Sequence, residues 1–173
     1  MNPVSSSLLV AIVEQVAFIR VTGRANFASS VHFKTLVNEL RERGFNRFVL
    51  DLSECATIDS TFLGVLAGNA LSGMEGRSGA NDVCLQLLNH NQRVTDLLEN
   101  LGIAHLFPIC LGNNAAETKF APAASPEGSP SREEISKTCL EAHQILMAAN
   151  PDNIARFKDV AQFLAEDLKK LNS

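Results

Sequence analysis

The sequence has no tryptophan and no tyrosine, and its ten phenylalanines are scattered among aliphatic residues. That removes the amphipathic aromatics on which base-stacking platforms and antibody-like contact surfaces rely. Basic charge is not in excess either: 15 Lys and Arg stand against 19 Asp and Glu, a formal net charge of −4. Such a balance leaves nothing over to neutralise a phosphate backbone, so nucleic acid is not an expected partner. Cysteine is sparse. Cys55, Cys84, Cys110 and Cys139 lie far apart with no Cys-x-x-Cys pair, which is neither a zinc spacing nor a small disulfide framework, and they read as reduced core residues. Long hydrophobic runs are absent too. The longest N-terminal one, residues 8–13, follows no basic segment and falls far short of the roughly 20 residues that cross a bilayer. A cytoplasmic protein without membrane insertion is expected.

Constellations that carry catalysis are equally missing. His32, His90, His105 and His143 are dispersed without a His-x-x-x-His spacing, and no G-x-S-x-G, phosphate-cradling glycine loop or dinucleotide fingerprint occurs. Asp51 and Asp59 are too few, and too far from any base and nucleophile pair in the pattern, to point to metal or acid-base catalysis. No metal, no cofactor and no enzymatic activity are expected.

What is present is 173 residues, 46% of them hydrophobic and 20% charged, enough for one aliphatic globular domain and something more. Composition changes after residue 111, where GNNAAETKFAPAASPEGSPS has neither a strand nor a helix period. The expected division is a domain over 1–111, a linker over 112–130 and a helical hairpin over 131–173.

In the first part, apolar runs at 7–13 and 16–21 flank Glu14-Gln15 and predict a tight strand pair ending at Thr22-Gly23-Arg24. Residues 29–43 predict a helix that starts at a Ser-Ser cap, buries Phe33, Leu36, Val37 and Leu40, and stops at Gly44. RFVLDL at 47–52 reads as a strand covered on both faces. A second helix begins near Ser60 or Thr61, buries Leu63, Leu66, Ala67, Ala70 and Leu71, and ends before Gly73, Gly76 and Gly79; Gly64 and Gly68 on it are expected to let it pack closely on a sheet. A strand at 83–88, a helix at 91–100 closed by Gly102, and an edge strand at 107–111 complete an α/β domain with a mixed sheet flanked by helices.

That order carries a resemblance. Asp51-Leu52-Ser53, then Ile58-Asp59-Ser60-Thr61-Phe62-Leu63-Gly64-Val65-Leu66, resembles the core signature of the STAS domain of anti-sigma factor antagonists; Gly23-Arg24-Ala25-Asn26 and Asn91-Gln92-Arg93-Val94 are similar to flanking segments of the same family. The resemblance covers about residues 8 to 111. It implies a STAS-like fold, and a phosphoacceptor serine at Ser60, modified by an anti-sigma factor or related serine kinase and restored by a PP2C-like phosphatase. The sequence departs from the family at Phe62, where the pattern has glycine, and at Asn26, where it has aspartate. A second implied reading is an accessory subunit docked, unphosphorylated, on a membrane transporter's cytoplasmic domain.

Ser60 also has a plain role open to it, because Asp and Ser are both favoured helix N-caps. Thr61 is the alternative acceptor in the same turn. Asn26 and Ser29 are expected to flank the switch surface or else to serve turn and cap. Phe62 is a solvent-facing partner anchor if the helix begins at Thr61, or a core residue otherwise. In the tail, Ser131-x-x-Glu134 is a capping box ahead of Ile135, Cys139, Ala142, Ile145, Leu146 and Ala149, and after Asn150-Pro151 a second stripe runs Ile154, Phe157, Ala161, Leu164, Leu168 and Leu171. Two such helices cannot bury both stripes alone. The hairpin packs on its own domain, on a partner, or on a second copy by self-association.

Overall fold

The apolar run Ser7–Val13 (β1) turns through Glu14, at φ 56°, into Val16–Ala25 (β2), and the two pair antiparallel with Val13 opposite Val16. A computed structural model describes residues 7–75, 84–107, 109–110, 119–123 and 130–172. Along it follow Phe27–Glu42 (α1), Arg47–Asp51 (β3), Cys55–Ile58 (β4), Ser60–Glu75 (α2), Cys84–Leu88 (β5), Gln92–Asn100 (α3), a short 3-10 turn at Ala104–Leu106, Ile109–Cys110 (β6), Ala121–Pro122 (β7), Arg132–Ala149 (α4) and Asn153–Leu171 (α5).

The sheet order is β6-β5-β3-β2-β1-β7, parallel from β6 to β2 and antiparallel beyond. β2 outlasts its expected end. Gly23, at φ 77°, admits a register shift, after which Arg24 and Ala25 pair in parallel with Thr57 and Ile58 of β4. β4 is a strand that the sequence pattern conceals, since only Cys55 and Ile58 of its four residues are buried.

Ile19, Val21, Phe48, Leu50 and Leu87 of the sheet form one apolar cluster with Phe33 and Val37 of α1 and Phe62, Leu63 and Leu66 of α2. Ala142 and Leu146 of α4 belong to the same cluster, and full burial of a leucine such as Leu146 is worth roughly 2 kcal/mol. The hairpin is thus part of the domain's core, so of the packings open to it the structure shows the one on its own domain.

α1 starts two residues before the expected Ser29. Asn26 is the N-cap, its Oδ1 accepting from the Ala28 and Ser29 amides at 3.1 Å, and Ser29 Oγ returns the bond by accepting from the Asn26 amide at 2.9 Å. Within the expected linker, β7 pairs with β1, and the Arg20 guanidinium lies 4.2 Å from the Phe120 ring centre. Arg20 also holds the fully buried Asp51 at 2.8 Å. Gly76, Gly79 and Val83, and the linker at 112–118 and 124–129, lie outside the described residues. Cys55 and Cys139 are free thiols. Among the described residues no helix is long and apolar enough to cross a membrane.

Candidate functional site

β4 ends beside β2, and the Asp59 amide donates to the Ala25 carbonyl at 2.9 Å, so the first turns of α1 and α2 stand next to each other. Asp59 links them. Its Oδ1 accepts from the Phe62 amide at 2.8 Å and its carboxylate also accepts from the Phe27 amide of α1. The Leu63 amide donates to the Asp59 carbonyl at 3.1 Å, which makes Asp59 the N-cap of α2 and Ser60 its first helical residue.

Burial pushes the Asp59 carboxyl above its usual 3.8, while the backbone amides and nearby His143 pull the other way. An acid raised in this way binds more protons folded than unfolded. The stability it contributes is whole below the unfolded value and is lost as pH rises through the folded one. Asp59→Asn keeps a capping oxygen and removes the charge. Urea titrations at pH values stepped upward from the usual 3.8 should show wild-type stability falling relative to Asp59→Asn as pH rises; a constant difference between the two contradicts this.

Ser60 is half-buried, and its hydroxyl meets a residue 83 positions away: Oγ lies 3.0 Å from His143 Nε2 on α4. The Nδ1 of that ring sits 2.6 Å from the Cys139 carbonyl oxygen. A carbonyl only accepts, so Nδ1 carries a proton, and in the neutral ring Nε2 accepts from the Ser60 hydroxyl. Phe157 of α5 packs edge-on to His143 with ring centres 4.9 Å apart. Thr61, also buried, donates from Oγ1 to Cys139 Sγ at 3.5 Å. Burial raises the Cys139 thiol above its ordinary value and the Asp59 carboxylate adds to that, which keeps the sulfur protonated.

Two expectations are corrected. Phe62 is not a surface anchor: it is 0% exposed and its ring lies 5.2 Å from that of Phe33. α2 starts at Ser60 rather than Thr61, which turns Phe62 toward α1 and the sheet. Gly64 and Gly68 face α4, not the sheet. A Cβ at Gly64 would stand 2.5 Å from the Ala142 carbonyl oxygen, and one at Gly68 would stand 2.8 Å from the end of Ile145.

Of the residues singled out from sequence, the structure brings Asp59, Ser60 and Thr61 together, places Asn26 and Ser29 close by as a helix cap, and withdraws Phe62 into the core. His143 and Cys139, which meet Ser60 and Thr61, and Ala142, which lies over Gly64, carry no site role in the sequence reading, where they are a dispersed histidine and two members of an apolar stripe. A histidine four residues after Cys139 on an apolar stripe is a signal, though nothing local names its partner. α4 is fastened elsewhere as well: Lys34 of α1 pairs with Glu141 at 2.8 Å, and the buried Asn153 amide donates to the carbonyls of Leu101 and Leu146, each at 2.9 Å. α5 exposes Ile154, Val160, Phe163 and Leu171. Among the described residues no group of three His, Cys, Asp or Glu is placed to hold a metal ion.

No curated protein matches the chain. Similar folds occur in a putative anti-sigma factor antagonist from Thermotoga maritima, 23% identical over 62% of this chain and 87% of that one with a TM-score of 0.52. An anti-sigma factor antagonist from Mycobacterium paratuberculosis is 18% identical over 62% of this chain and 87% of that one, TM-score 0.51. Unphosphorylated SpoIIAA, an anti-sigma factor antagonist, is 15% identical over 64% of this chain and 94% of that one, TM-score 0.52. In all three the likeness stops short of the full length of this chain, and α4 and α5 lie beyond the family match as well. Residues 8–109, the stretch from β1 to β6 that carries Ser60 and its cap, match the family described as Mlab, STAS domain, and the chain belongs to that STAS family.

Proposed function

We propose that the chain is a non-enzymatic binding module of a partner-switching pathway, with Ser60 as the phosphoacceptor that decides whether it binds an anti-sigma-like serine kinase. The observation that carries this reading is the position of Ser60: first residue of α2, hydroxyl outside the apolar cluster, at the joint where two helices begin. In the transfer, Ser60 Oγ bonds to the γ-phosphorus of ATP while the bond from that phosphorus to the bridging oxygen breaks. ADP departs with the electron pair, and the hydroxyl proton passes to the kinase's base. A PP2C-like phosphatase reverses the state by hydrolysis. The phosphate adds about −1.5 to −2 charge, which the amides and dipole of a helix N-terminus tolerate, so the change is felt by the partner surface rather than by the fold. A few kcal/mol of lost binding is roughly a hundredfold or more in affinity.

The test is to incubate the full chain with ATP and an ATPase-fold serine kinase recovered on it, then map the phosphate by mass spectrometry. Phosphate is expected on Ser60, and Ser60→Ala should remove it. Absence of modification, or modification away from Ser60 and Thr61, sinks the reading.

A second reading, an accessory subunit docked on a transporter's cytoplasmic domain without phosphorylation, draws support from one observation: the Ser60 hydroxyl is already engaged by His143. A transporter ATPase in place of a kinase among the purified chain's stoichiometric partners would favour it.

A further inference from the structure

The α1/α2 face that carries Ser60 is occupied. α4 lies on it so closely that no side chain longer than hydrogen fits at Gly64 beneath the Ala142 backbone. The Ser60 hydroxyl meets an imidazole held from two more directions: its other nitrogen is bonded to the Cys139 carbonyl at 2.6 Å, and Phe157 packs edge-on against the ring. A phosphorus bonded to Ser60 Oγ and directed at Nε2, which is 3.0 Å from that oxygen, would sit far inside contact distance of the nitrogen. Turned to another rotamer, the phosphate strips Nε2 of its partner and brings its charge toward Asp59, the carboxylate one residue before it.

We propose that α4 is a resident occupant of the switch face, and that α4 docked on α2 and a phosphate on Ser60 exclude each other. This rests on Ser60 being the phosphoacceptor. In the unmodified chain the hairpin latches through Ser60 and His143 and hides the hydroxyl; a kinase must open it before transfer, and the phosphate then keeps it open. The face so uncovered, with Thr61, Gly64 and Gly68 along α2 and Lys34 on α1, suits one kind of partner. That partner is an amphipathic helix that brings a small residue over Gly64 and an acidic one to Lys34, as Ala142 and Glu141 of α4 do now.

Phosphoserine installed at position 60 during translation of the full chain tests this without any kinase. Amide hydrogen exchange followed by mass spectrometry should show residues 135–149 exchanging at least tenfold faster than in the unmodified chain, while strands 17–21 and 47–51 keep their protection. α4 protected as before means that the phosphate is accommodated beside His143, and the proposal is overturned. Loss of protection in the strands as well overturns it too, because the hairpin is then not separable from the fold. The result is independent of the phosphoacceptor reading. An installed phosphate that opens α4, together with a kinase that never modifies Ser60, removes the switch and leaves the mutual exclusion standing.

Discussion

Phe62→Ala is expected to destabilise the chain by about 3–5 kcal/mol, the range for deleting a buried aromatic side chain from a packed core. The ring is 0% exposed and tilted 43° against Phe33, so its loss leaves a cavity between α1 and α2. Urea denaturation reads the effect directly. A loss below about 1 kcal/mol would mean that the position is a surface one after all, and that Phe62 is free to act as a partner anchor. The consequence for function is practical: Phe62 lies two residues from Ser60, so a binding defect in this variant is interpretable only after correction for the fraction folded.

The placement of Phe62 also shows where the sequence stops being informative. The stripe Leu63, Leu66, Ala67 and Ala70 announces α2 and its buried face, and Asp59-Ser60 announces its start within one residue. That one residue decides whether Phe62 points out or in, since each step along a helix rotates a side chain by about 100°. At α1 the turn-and-cap role open to Asn26 and Ser29 is the one the structure shows, and the helix start moves two residues ahead of the expected Ser-Ser cap. Ser29 does take part in capping, but as the residue that answers Asn26 three positions earlier. The succession of elements along the domain, apart from β4 and β7, and the STAS resemblance are legible because they rest on local periodicity and on a contiguous motif. The contact between Ser60 and His143 joins positions 83 apart, and no period or spacing encodes it.

The hairpin was legible as two amphipathic helices in need of a surface, but not which surface. α4 satisfies the need by lying on α2 and α1, and this explains a feature that local reading assigned elsewhere. Glycine costs a helix roughly 0.5–1 kcal/mol relative to alanine, so two of them four apart in α2 call for a reason. At Gly64 the reason is Ala142 of α4. The domain's second helix is thus shaped for a helical neighbour on the side where Ser60 and Thr61 lie, and in this chain that neighbour is built in. The same economy bears on the Ser60 hydroxyl: whatever modifies it must first deal with α4.

Gly64→Ala and Gly68→Ala are chemically identical changes one turn apart and are expected to move stability in opposite directions. At Gly64 the added methyl meets the Ala142 carbonyl oxygen at 2.5 Å and its Cβ at 2.6 Å, so the α4 backbone must lift; overpacking of this kind costs about 1–3 kcal/mol. At Gly68 the nearest atom is the Ile145 Cδ1 at 2.8 Å, the far end of a side chain that can turn away, which leaves the alanine's gain in helix propensity of roughly 0.5–1 kcal/mol. Thermal or urea unfolding of both variants checks the signs. Hydrogen exchange then locates the difference: residues 135–149 should exchange faster in Gly64→Ala and at the wild-type rate in Gly68→Ala. If Gly64→Ala is as stable as Gly68→Ala with α4 equally protected, the two helices do not meet as closely as Ala142 and Gly64 indicate, and Ser60 is correspondingly less enclosed. If the signs split as expected, Gly64→Ala supplies an uncharged chain with its hairpin displaced. Faster phosphorylation of its Ser60 than in Gly68→Ala would then show that α4, and not the serine's own first turn of helix, limits access to the hydroxyl.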